Sequence, residues 1–474
     1  MRARANAQPR PMPLPTPIGA QSDALYLPTD RNVVVLGSAG SGKTTLAILR
    51  AAHLANAATP NSGKTLLVTF NVALVTYLEH LSSDSVDFAE VHVRNFHHFA
   101  RGILSNLGVS MDHTIVQGPA QVALVEGAVA AVSAKDQSAV FKRQTEFFVE
   151  EFKWLAQNGI KSEADYLSQE RTGRGDSRLA RLDRPRVFKA YAKYLASLKE
   201  AGFLFDWNTL ASGVREALRK KTKAFKPLYK HVVIDEGQDF SPEMLRSLSE
   251  SLQPKGTVTF FADVAQQIYG HRMSWREAGI AAPLIQEFRN NYRNTREIAA
   301  LALALSAMPS FGHKKDELVA PISPKAAGAP PGLVKIKAGA SELDWVIAQV
   351  RKLQTQSVAI LIRNRSHDAE IQAALPKAVR LHRDMKQWEI GAVVYYGTIH
   401  AAKGLEFDTV IIPYCGDDDV KQDHNYSIFD ADEADGMVSK LLYVGITRAR
   451  RNLILTYTGK LSKLLPSDET LYGK

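Results

Sequence analysis

A glycine-rich segment between an apolar run and a helical pattern constrains this chain more than any other feature. Residues 37–44 read G-S-A-G-S-G-K-T, which satisfies the pattern G-x-x-x-x-G-K-[ST], and residues 32–36 before them form a β-branched apolar run. A loop of this kind wraps its backbone N–H groups around phosphates, and the N-terminus of the following helix adds partial positive charge. The sequence therefore predicts a nucleoside triphosphate site.

Within the loop, each residue type has a chemical reason. Lys43 is placed to reach the β- and γ-phosphates, and the Thr44 hydroxyl is placed to hold Mg²⁺. A chance match to the pattern is the alternative, and the strand–loop–helix setting argues against it. The residues predicted to contact the nucleotide here are Gly37, Ser38, Ala39, Gly40, Ser41, Gly42, Lys43, Thr44 and Thr45.

A later apolar run, His231–Ile234, is followed by a cluster of carboxylates. Asp235 and Glu236 follow it directly, at the strand end where open α/β sheets bind ligands. Asp235 is suited to hold Mg²⁺ through water, and Glu236 to orient or deprotonate the water that attacks the γ-phosphate. An isolated acidic patch is more often a solvated strand end, so this assignment depends on the accompanying phosphate loop.

Length and composition limit the remaining possibilities. With 474 residues the chain is long enough for roughly three domain-sized units, and no apolar run approaches the ~20 residues of a membrane helix. Its 59 Lys and Arg exceed its 49 Asp and Glu, which favours a polyanionic partner but does not by itself decide for nucleic acid. A single cysteine, Cys415, excludes an internal disulfide framework and predicts a cytoplasmic location.

Apolar runs that alternate with helical patterns predict an α/β protein with parallel sheets. The segments 144–157 and 186–200 have helical periodicity, and strand-like runs recur at 358–362 and 410–412. The predicted organisation is a disordered arm over 1–20, a first ATPase domain over 21–99 and 205–280, a helical insertion over 100–204, and a second α/β domain over 281–474.

The carboxylate motif D-E-G-Q-D and other segments, in order along the chain, resemble the UvrD/Rep branch of superfamily 1 helicases. The resemblance implies two RecA-like P-loop domains, a helical insertion in the first, and ATP bound between the domains. The segments that carry it, beside the phosphate loop, are 67–71, 95–97, 235–239, 261–269, 291–295, 396–407 and 442–450.

The resemblance implies further nucleotide contacts. Gln21 resembles the glutamine that reads adenine, although its flanking residues depart from the usual ones. Tyr292 is expected to stack on adenine, Glu406 to lie near the ribose, and Gln238 to contribute to the same site.

It also implies catalytic residues beyond Lys43, Asp235 and Glu236. Arg293 and Arg448 are expected to act as arginine fingers that contact the γ-phosphate, and Gln266 to couple that phosphate to the strand-binding groove. Fingers from a separate lobe would sense the γ-phosphate only when ATP closes the cleft.

Contacts with single-stranded nucleic acid are implied for a third set of residues. His271 stands where the family has a base-stacking aromatic, and the nearby Trp275 is the alternative for that role. The other residues assigned to the strand are Phe70, Asn71, Phe96, His97, Thr398 and His400.

The expected protein is a minimal motor that uses ATP and Mg²⁺ to move 3′ to 5′ on single-stranded DNA or at single/double-strand junctions. The interval between Thr295 and Tyr396 is short, so we expect a form that lacks the large insertion of longer relatives in the second motor domain. Two alternatives remain open. One is a translocase with little unwinding, and the other is a nucleotide-switched subunit that partners a nuclease or a repair or defence protein.

Overall fold

The computed structural model describes most of the chain. The described residues are 20–38, 40–69, 75, 89–171, 179–220, 225–263, 275, 278–281, 283–288, 291, 293–311, 323–353, 356–382, 393–422, 426 and 431–473.

The strands of this part are numbered in chain order. They are β1 (Val33–Gly37), β2 (Thr65–Thr69), β3 (Val91–Asn95), β4 (Ile115–Val116), β5 (Phe205–Asp206), β6 (His231–Ile234), β7 (Thr257–Ala262), β8 (Leu284–Phe288), β9 (Gly332–Ile336), β10 (Val358–Ile362), β11 (Val379–Arg380), β12 (Val394–Thr398), β13 (Phe407–Ile412) and β14 (Ala449–Thr458).

The α-helices are numbered in the same way. They are α1 (Ala20–Leu25), α2 (Lys43–Ala55), α3 (Phe96–Asn106), α4 (Pro119–Ser133), α5 (Thr145–Asn158), α6 (Glu163–Ser168), α7 (Arg184–Glu200), α8 (Leu210–Lys220), α9 (Pro242–Glu250), α10 (Arg296–Ser306), α11 (Glu342–Lys352), α12 (Asp368–Ala374), α13 (Asp417–Lys421) and α14 (Ala431–Ile446).

The first sheet has six parallel strands in the order β3-β2-β6-β7-β1-β8. Side chains alternate between its faces, so Val33 and Val35 enter one hydrophobic cluster while Val34 enters another. Because both faces of the sheet are covered, the inner strands β1, β6 and β7 are runs of mostly buried residues. The carboxyl ends of β1 and β6 therefore place residues 37–44 and 235–239 at one edge of the sheet.

The second sheet also has six parallel strands, in the order β11-β12-β10-β13-β14-β9. The described helices between residues 296 and 374 pack on this sheet or on α14. One hydrophobic cluster joins the two sheets, since it contains Val33 and Val35 together with Val410 and Leu453. Cys415, just after β13, is fully buried, and burial raises the pKa of its thiol to about 12.

The helical insertion has a hydrophobic core of its own, built from α4, α5, α6 and α7. It is entered and left through a short parallel pair, in which Ile115 and Val116 of β4 lie opposite Phe205 and Asp206 of β5. The flanking helices α3 and α8 contribute instead to the core of the first sheet.

The predicted fold class, α/β with two parallel-sheet RecA-like domains and a helical insertion, is confirmed. In the structure the edge strand β8 pairs with β1, so the first sheet extends through Phe288 and beyond the predicted limit at residue 280. Similarly, the side chains of α3 around Ala100 pack on the first sheet and not in the insertion that was predicted to start there. Among the described residues, no helix combines the length and apolar character that crossing a membrane requires.

Candidate nucleotide site and interdomain cleft

The phosphate loop adopts backbone conformations that favour glycine. Gly40 has φ +76° and Gly42 has φ +82°, both in the left-handed region. A Cβ atom at Gly40 would lie 2.1 Å from the Asn291 Oδ1 atom, and one at Gly42 would lie 2.5 Å from the Gln21 Nε2 atom. The loop is thus closely flanked by side chains distant in sequence, and its last two residues, Lys43 and Thr44, already belong to α2.

Lys43 points back into this loop. Its Nζ atom donates to the carbonyl oxygens of Gly37 at 2.9 Å and Ser38 at 2.7 Å, and lies 3.6 Å from the Asp263 carboxylate. Burial lowers the pKa of Lys43, and the negative charge of Asp263 partly opposes that effect. The ammonium is held at the mouth of the loop, where the β- and γ-phosphates of a nucleotide would be expected.

Asp235 is the buried carboxylate at the end of β6. Burial and the adjacent Glu236 raise its pKa to about 7, while a hydrogen bond with the Thr44 side chain opposes the shift. Its Oδ2 atom is buried and has no hydrogen-bond partner within the described part of the chain. A free carboxylate oxygen beside a threonine hydroxyl fits the hard oxygen ligands that Mg²⁺ prefers.

Glu236 lies beside it in the left-handed conformation, with φ +52°, and is buried. Its Oε2 atom accepts a 2.5 Å hydrogen bond from Gln238 Nε2, and Gln238 Oε1 in turn accepts from the backbone N–H of Asp263 at 2.9 Å. Burial disfavours the charged form of Glu236, but nearby cations, Lys403 first and then Arg448 and Lys43, outweigh burial and lower its pKa. The carboxylate is therefore held ionised and oriented.

Two arginines from beyond the first sheet reach this pocket. Arg293 Nη2 lies 2.5 Å from Glu406 Oε1, and the Arg293 Cβ atom lies 3.0 Å from a Cβ atom built at Gly40. Arg448 is fully buried, and its guanidinium donates to the carbonyl oxygens of Val444 at 3.0 Å and Leu405 at 3.3 Å. Burial first, and the charge of Arg293 second, lower the pKa of Arg448 to about 10.

A cleft of about 730 Å³, lined by Asp239 of the D-E-G-Q-D motif, opens between the two sheets. The Asn95 side chain caps α3 by accepting from the His98 backbone N–H at 2.8 Å, and this places His97 at the cleft wall. Thr398 and His400, at the end of β12, form part of the opposite wall. The structure thus brings together three residues predicted separately for nucleic-acid contact.

A family model for the UvrD/REP helicase N-terminal domain matches residues 19–292, more than half of the chain, and one for the UvrD-like helicase C-terminal domain matches residues 380–460. The chain belongs to the UvrD/Rep helicase family.

Curated relatives of this UvrD/Rep family member carry helicase names. A probable DNA helicase of Mycoplasma pneumoniae is 23% identical, over 89% of this chain and 80% of its own length. DNA helicase II of Rickettsia typhi is 25% identical, over 80% of this chain and 59% of its own length. DNA helicase IV of Escherichia coli is 23% identical, over 90% of this chain and 66% of its own length. The chain therefore spans about three fifths to four fifths of these relatives.

Gln21, which in the UvrD/Rep family is expected to read adenine, contacts the phosphate loop directly. Its Nε2 atom donates to the Ser41 carbonyl oxygen at 2.9 Å. The amide thus ties α1 to the loop in addition to any role with the base.

Two residues predicted for strand contact have packing roles in this UvrD/Rep chain. Phe96 is fully buried and packs against Phe99 and Phe240 in the core of the first sheet, so its side chain does not face the cleft. Trp275 is half-buried and packs edge-on against Phe260 at 5.0 Å between ring centroids. The sequence positions of Phe96 and Trp275 predicted contact with the strand, but in the structure both rings pack against apolar residues of the first sheet.

Several cleft residues were not singled out from the sequence. Trp207 packs edge-on against His97 at 5.0 Å between ring centroids and donates from Nε1 to Gln117 Oε1 at 2.9 Å. Trp207 directly follows β5, where the chain leaves the helical insertion, and no sequence motif marks this position. The cationic and imidazole side chains missed in the same way are those of His98, Arg101, Arg365, Arg380, His382 and Lys403.

Some predicted site residues lie outside the described residues. They are Ala39, Phe70, Asn71, Gln266, His271 and Tyr292.

Proposed function

We propose that this chain is an ATP-dependent DNA helicase that moves 3′ to 5′ on single-stranded DNA. The observation that carries the proposal is the position of Arg293 and Arg448, which lie at the pocket formed by Lys43, Asp235 and Glu236 although they follow the first sheet in the chain. Arginines in that position neutralise charge that develops on a transferred γ-phosphoryl group. Hydrolysis would then loosen the contact between the lobes and permit a step.

The residues of the pocket divide the chemistry among them. Glu236, held ionised and oriented by Gln238, accepts a proton from the attacking water or positions it in line with the γ-phosphate. Lys43 exchanges its loop carbonyl partners for phosphate oxygens. Arg293 has a buried Nε atom without a hydrogen-bond partner in the described residues, so it has a donor to offer the γ-phosphate.

Mg²⁺ would be held by Asp235 and the Thr44 hydroxyl, and it would supply charge neutralisation for the β- and γ-phosphates. The buried, unpaired Oδ2 atom of Asp235 supports this assignment. Single-stranded DNA is assigned to the interdomain cleft, since its walls carry His97, Thr398 and His400.

The test is the ATPase rate of the purified chain with and without oligonucleotides. We expect stimulation by single-stranded DNA, and weaker stimulation by RNA of the same sequence. Stimulation should weaken steeply as salt rises, because phosphate contacts release counterions. Equal turnover with and without single strands would contradict the proposal. Duplexes with only a 3′ or only a 5′ tail then test direction, and displacement from the 5′ tail alone would overturn the 3′ to 5′ assignment.

A single-strand translocase that unwinds poorly is the second candidate. It is favoured by the compact second domain, in which the described elements between residues 296 and 382 belong to its sheet or pack around it. Stimulated ATPase and displacement of a bound protein from single strands, without displacement of a complementary strand, would select this candidate.

A further inference from the structure

The segment that carries Arg293 is organised by a pair of asparagines. Asn291 Oδ1 accepts from the backbone N–H groups of Arg293 at 3.0 Å and Asn294 at 3.1 Å. Asn291 Nδ2 donates to Asn294 Oδ1 at 2.9 Å. Because Asn291 also abuts Gly40, this turn rests directly on the phosphate loop.

Asn294 continues the contact toward the other arginine. Its Nδ2 atom donates to the carbonyl oxygens of Thr447 at 3.2 Å and Ala449 at 2.6 Å, the two residues that flank Arg448. The side chain is buried, with 2% of its surface exposed. Both N–H bonds of one amide therefore hold the backbone on either side of Arg448.

The two guanidinium groups need such a link, because they repel each other. The charge of Arg293 contributes to the lowered pKa of Arg448, which is itself fully buried. A neutral amide that donates to carbonyl oxygens holds them together without adding charge. Glu406 pairs with Arg293 directly, whereas Arg448 donates to backbone carbonyl oxygens and is acted on by the negative charges of Glu236, Glu406 and Asp263.

We propose that Asn294 is a positioning residue that makes Arg293, Arg448 and the phosphate loop one unit, so that both arginines engage the γ-phosphate together. The inference rests on the proposed ATPase function. Asparagine is specific for this role. Aspartate has the same shape but would present oxygen to two carbonyl oxygens, and serine is shorter and has only one proton to donate.

The first test compares Asn294→Ser and Asn294→Asp with the wild-type chain, with saturating single-stranded DNA. We expect kcat to fall about 10- to 100-fold, the range that small misplacement of catalytic groups produces. The dissociation constant of ADP should stay unchanged, because ADP has no γ-phosphate for the arginines to contact. Affinity for a non-hydrolysable ATP analogue should fall toward that of ADP. A merely structural role would weaken both nucleotides alike, and that result would overturn the inference.

A matched control is Asn452→Ser in the same domain. Asn452 lies on β14, three residues after Ala449, and its Nδ2 atom donates to Gln356 Oε1 and Thr409 Oγ1, both at 3.2 Å, instead of to the carbonyl oxygens beside Arg448. This variant should keep the wild-type kcat and the wild-type preference for the ATP analogue. If it lost both as fully as Asn294→Ser does, the effect would be general destabilisation.

The second test is a double-mutant cycle with Arg448→Lys, which keeps the charge. If Asn294 acts through Arg448, Asn294→Ser should cost little further kcat in that background. If the fall in kcat of the double variant equalled the product of the falls in the two single variants, that result would contradict the inference. Thermal unfolding checks that each variant folds. If Asn294→Asp does not fold, the test is made with Asn294→Ser alone. Absence of ATPase activity in the wild-type chain would refute the proposed function, whereas an active wild type with unaffected Asn294 variants would refute this inference alone.

Discussion

Lys403 Nζ lies 2.5 Å from Asp239 Oδ1, and this ion pair joins the turn after β12 to the last carboxylate of the D-E-G-Q-D motif. The side chains of Lys403 and Asp239 are 5% and 4% exposed, and both line the interdomain cleft. Burial raises the pKa of Asp239 to about 6, and the charge of Lys403 opposes the shift. The same ammonium is the strongest counter-charge acting on Glu236. The pair therefore links the proposed strand-binding cleft to the proposed general base.

Replacing Lys403 should affect both stability and the response to DNA. Lys403→Ala leaves a buried carboxylate unpaired, which costs about 3 kcal/mol when the carboxylate stays ionised. The stimulation of ATPase by single-stranded DNA should fall about tenfold or more, since the cleft loses a cation next to Glu236. Denaturant unfolding and stimulated turnover measure the two effects.

Lys421→Ala is the matched control for this change. Lys421 forms an exposed ion pair with Asp417 at 2.7 Å in the same domain. It should leave unfolding and stimulated turnover at wild-type values. Wild-type stimulation in Lys403→Ala would contradict the link between the cleft and Glu236.

The phosphate loop lysine and the proposed base should be indispensable. Lys43→Ala and Glu236→Gln should each reduce kcat by at least about 10²-fold, because one removes a phosphate contact and the other the group that activates water. Circular dichroism should be that of the wild type. Glu216→Gln, at a side chain 59% exposed on α8, is the control and should keep full activity. An undiminished rate in either pocket variant would refute its assigned role.

The fold could be predicted from the sequence, and so could the residues that make up the candidate nucleotide pocket, because both follow from local patterns. β6 and β10 occupy the predicted residues, since a buried parallel strand is a short apolar run bounded by polar residues. The phosphate loop is equally local, because its glycines serve backbone angles within one turn.

The rest depends on contacts between distant segments. The pairing of Lys403 with Asp239, and of Asn294 with the carbonyls beside Arg448, joins residues that share no local pattern. The burial of Phe96 likewise follows from packing against Phe240 and not from its motif. Trp207 reaches the cleft only because β5 brings the chain back beside β4.

The stability of the chain should fall in acid through His231. This buried side chain of β6 contacts the Asn61 carbonyl oxygen through Nε2 at 2.7 Å and Thr257 Oγ1 through Nδ1 at 2.8 Å. Burial lowers its pKa from 6.5 to about 4. Because the folded state favours the neutral ring, the contribution to stability is complete above about pH 6.5 and is lost as the pH falls toward 4, up to roughly 3 kcal/mol.

The measurement is the free energy of unfolding from pH 7 to pH 4 in the wild type and in His231→Gln. His231→Gln should have a lower free energy of unfolding at pH 7. Between pH 6.5 and pH 4 that free energy should fall less than it does in the wild type. Identical pH profiles of the two chains would refute the assignment to His231.

The arginines of the cleft should contribute to strand binding through phosphates. Arg101 and Arg365 are exposed and lie on walls formed by different sheets. Arg101→Ala and Arg365→Ala should each weaken binding of any single-stranded sequence and reduce the slope of log affinity against log salt by about 1. Fluorescence anisotropy at several salt concentrations measures both quantities.

Arg219→Ala is the control, because Arg219 is 56% exposed on α8 and pairs with Glu250 at 3.7 Å. It should leave the affinity and the salt slope unchanged. An unaltered slope in both cleft variants would place the strand elsewhere on the surface.

The buried thiol of Cys415 gives this chain a clean background for fluorescent labelling. Maleimides react with thiolates, and a thiol that is fully buried and has a pKa near 12 stays protonated and out of reach. Cysteines introduced at Arg219 and Arg451, both on exposed surfaces of opposite domains, would then be the groups that take up dye. Energy transfer between the two dyes would follow the approach of the lobes during each turnover, without removal of the native cysteine.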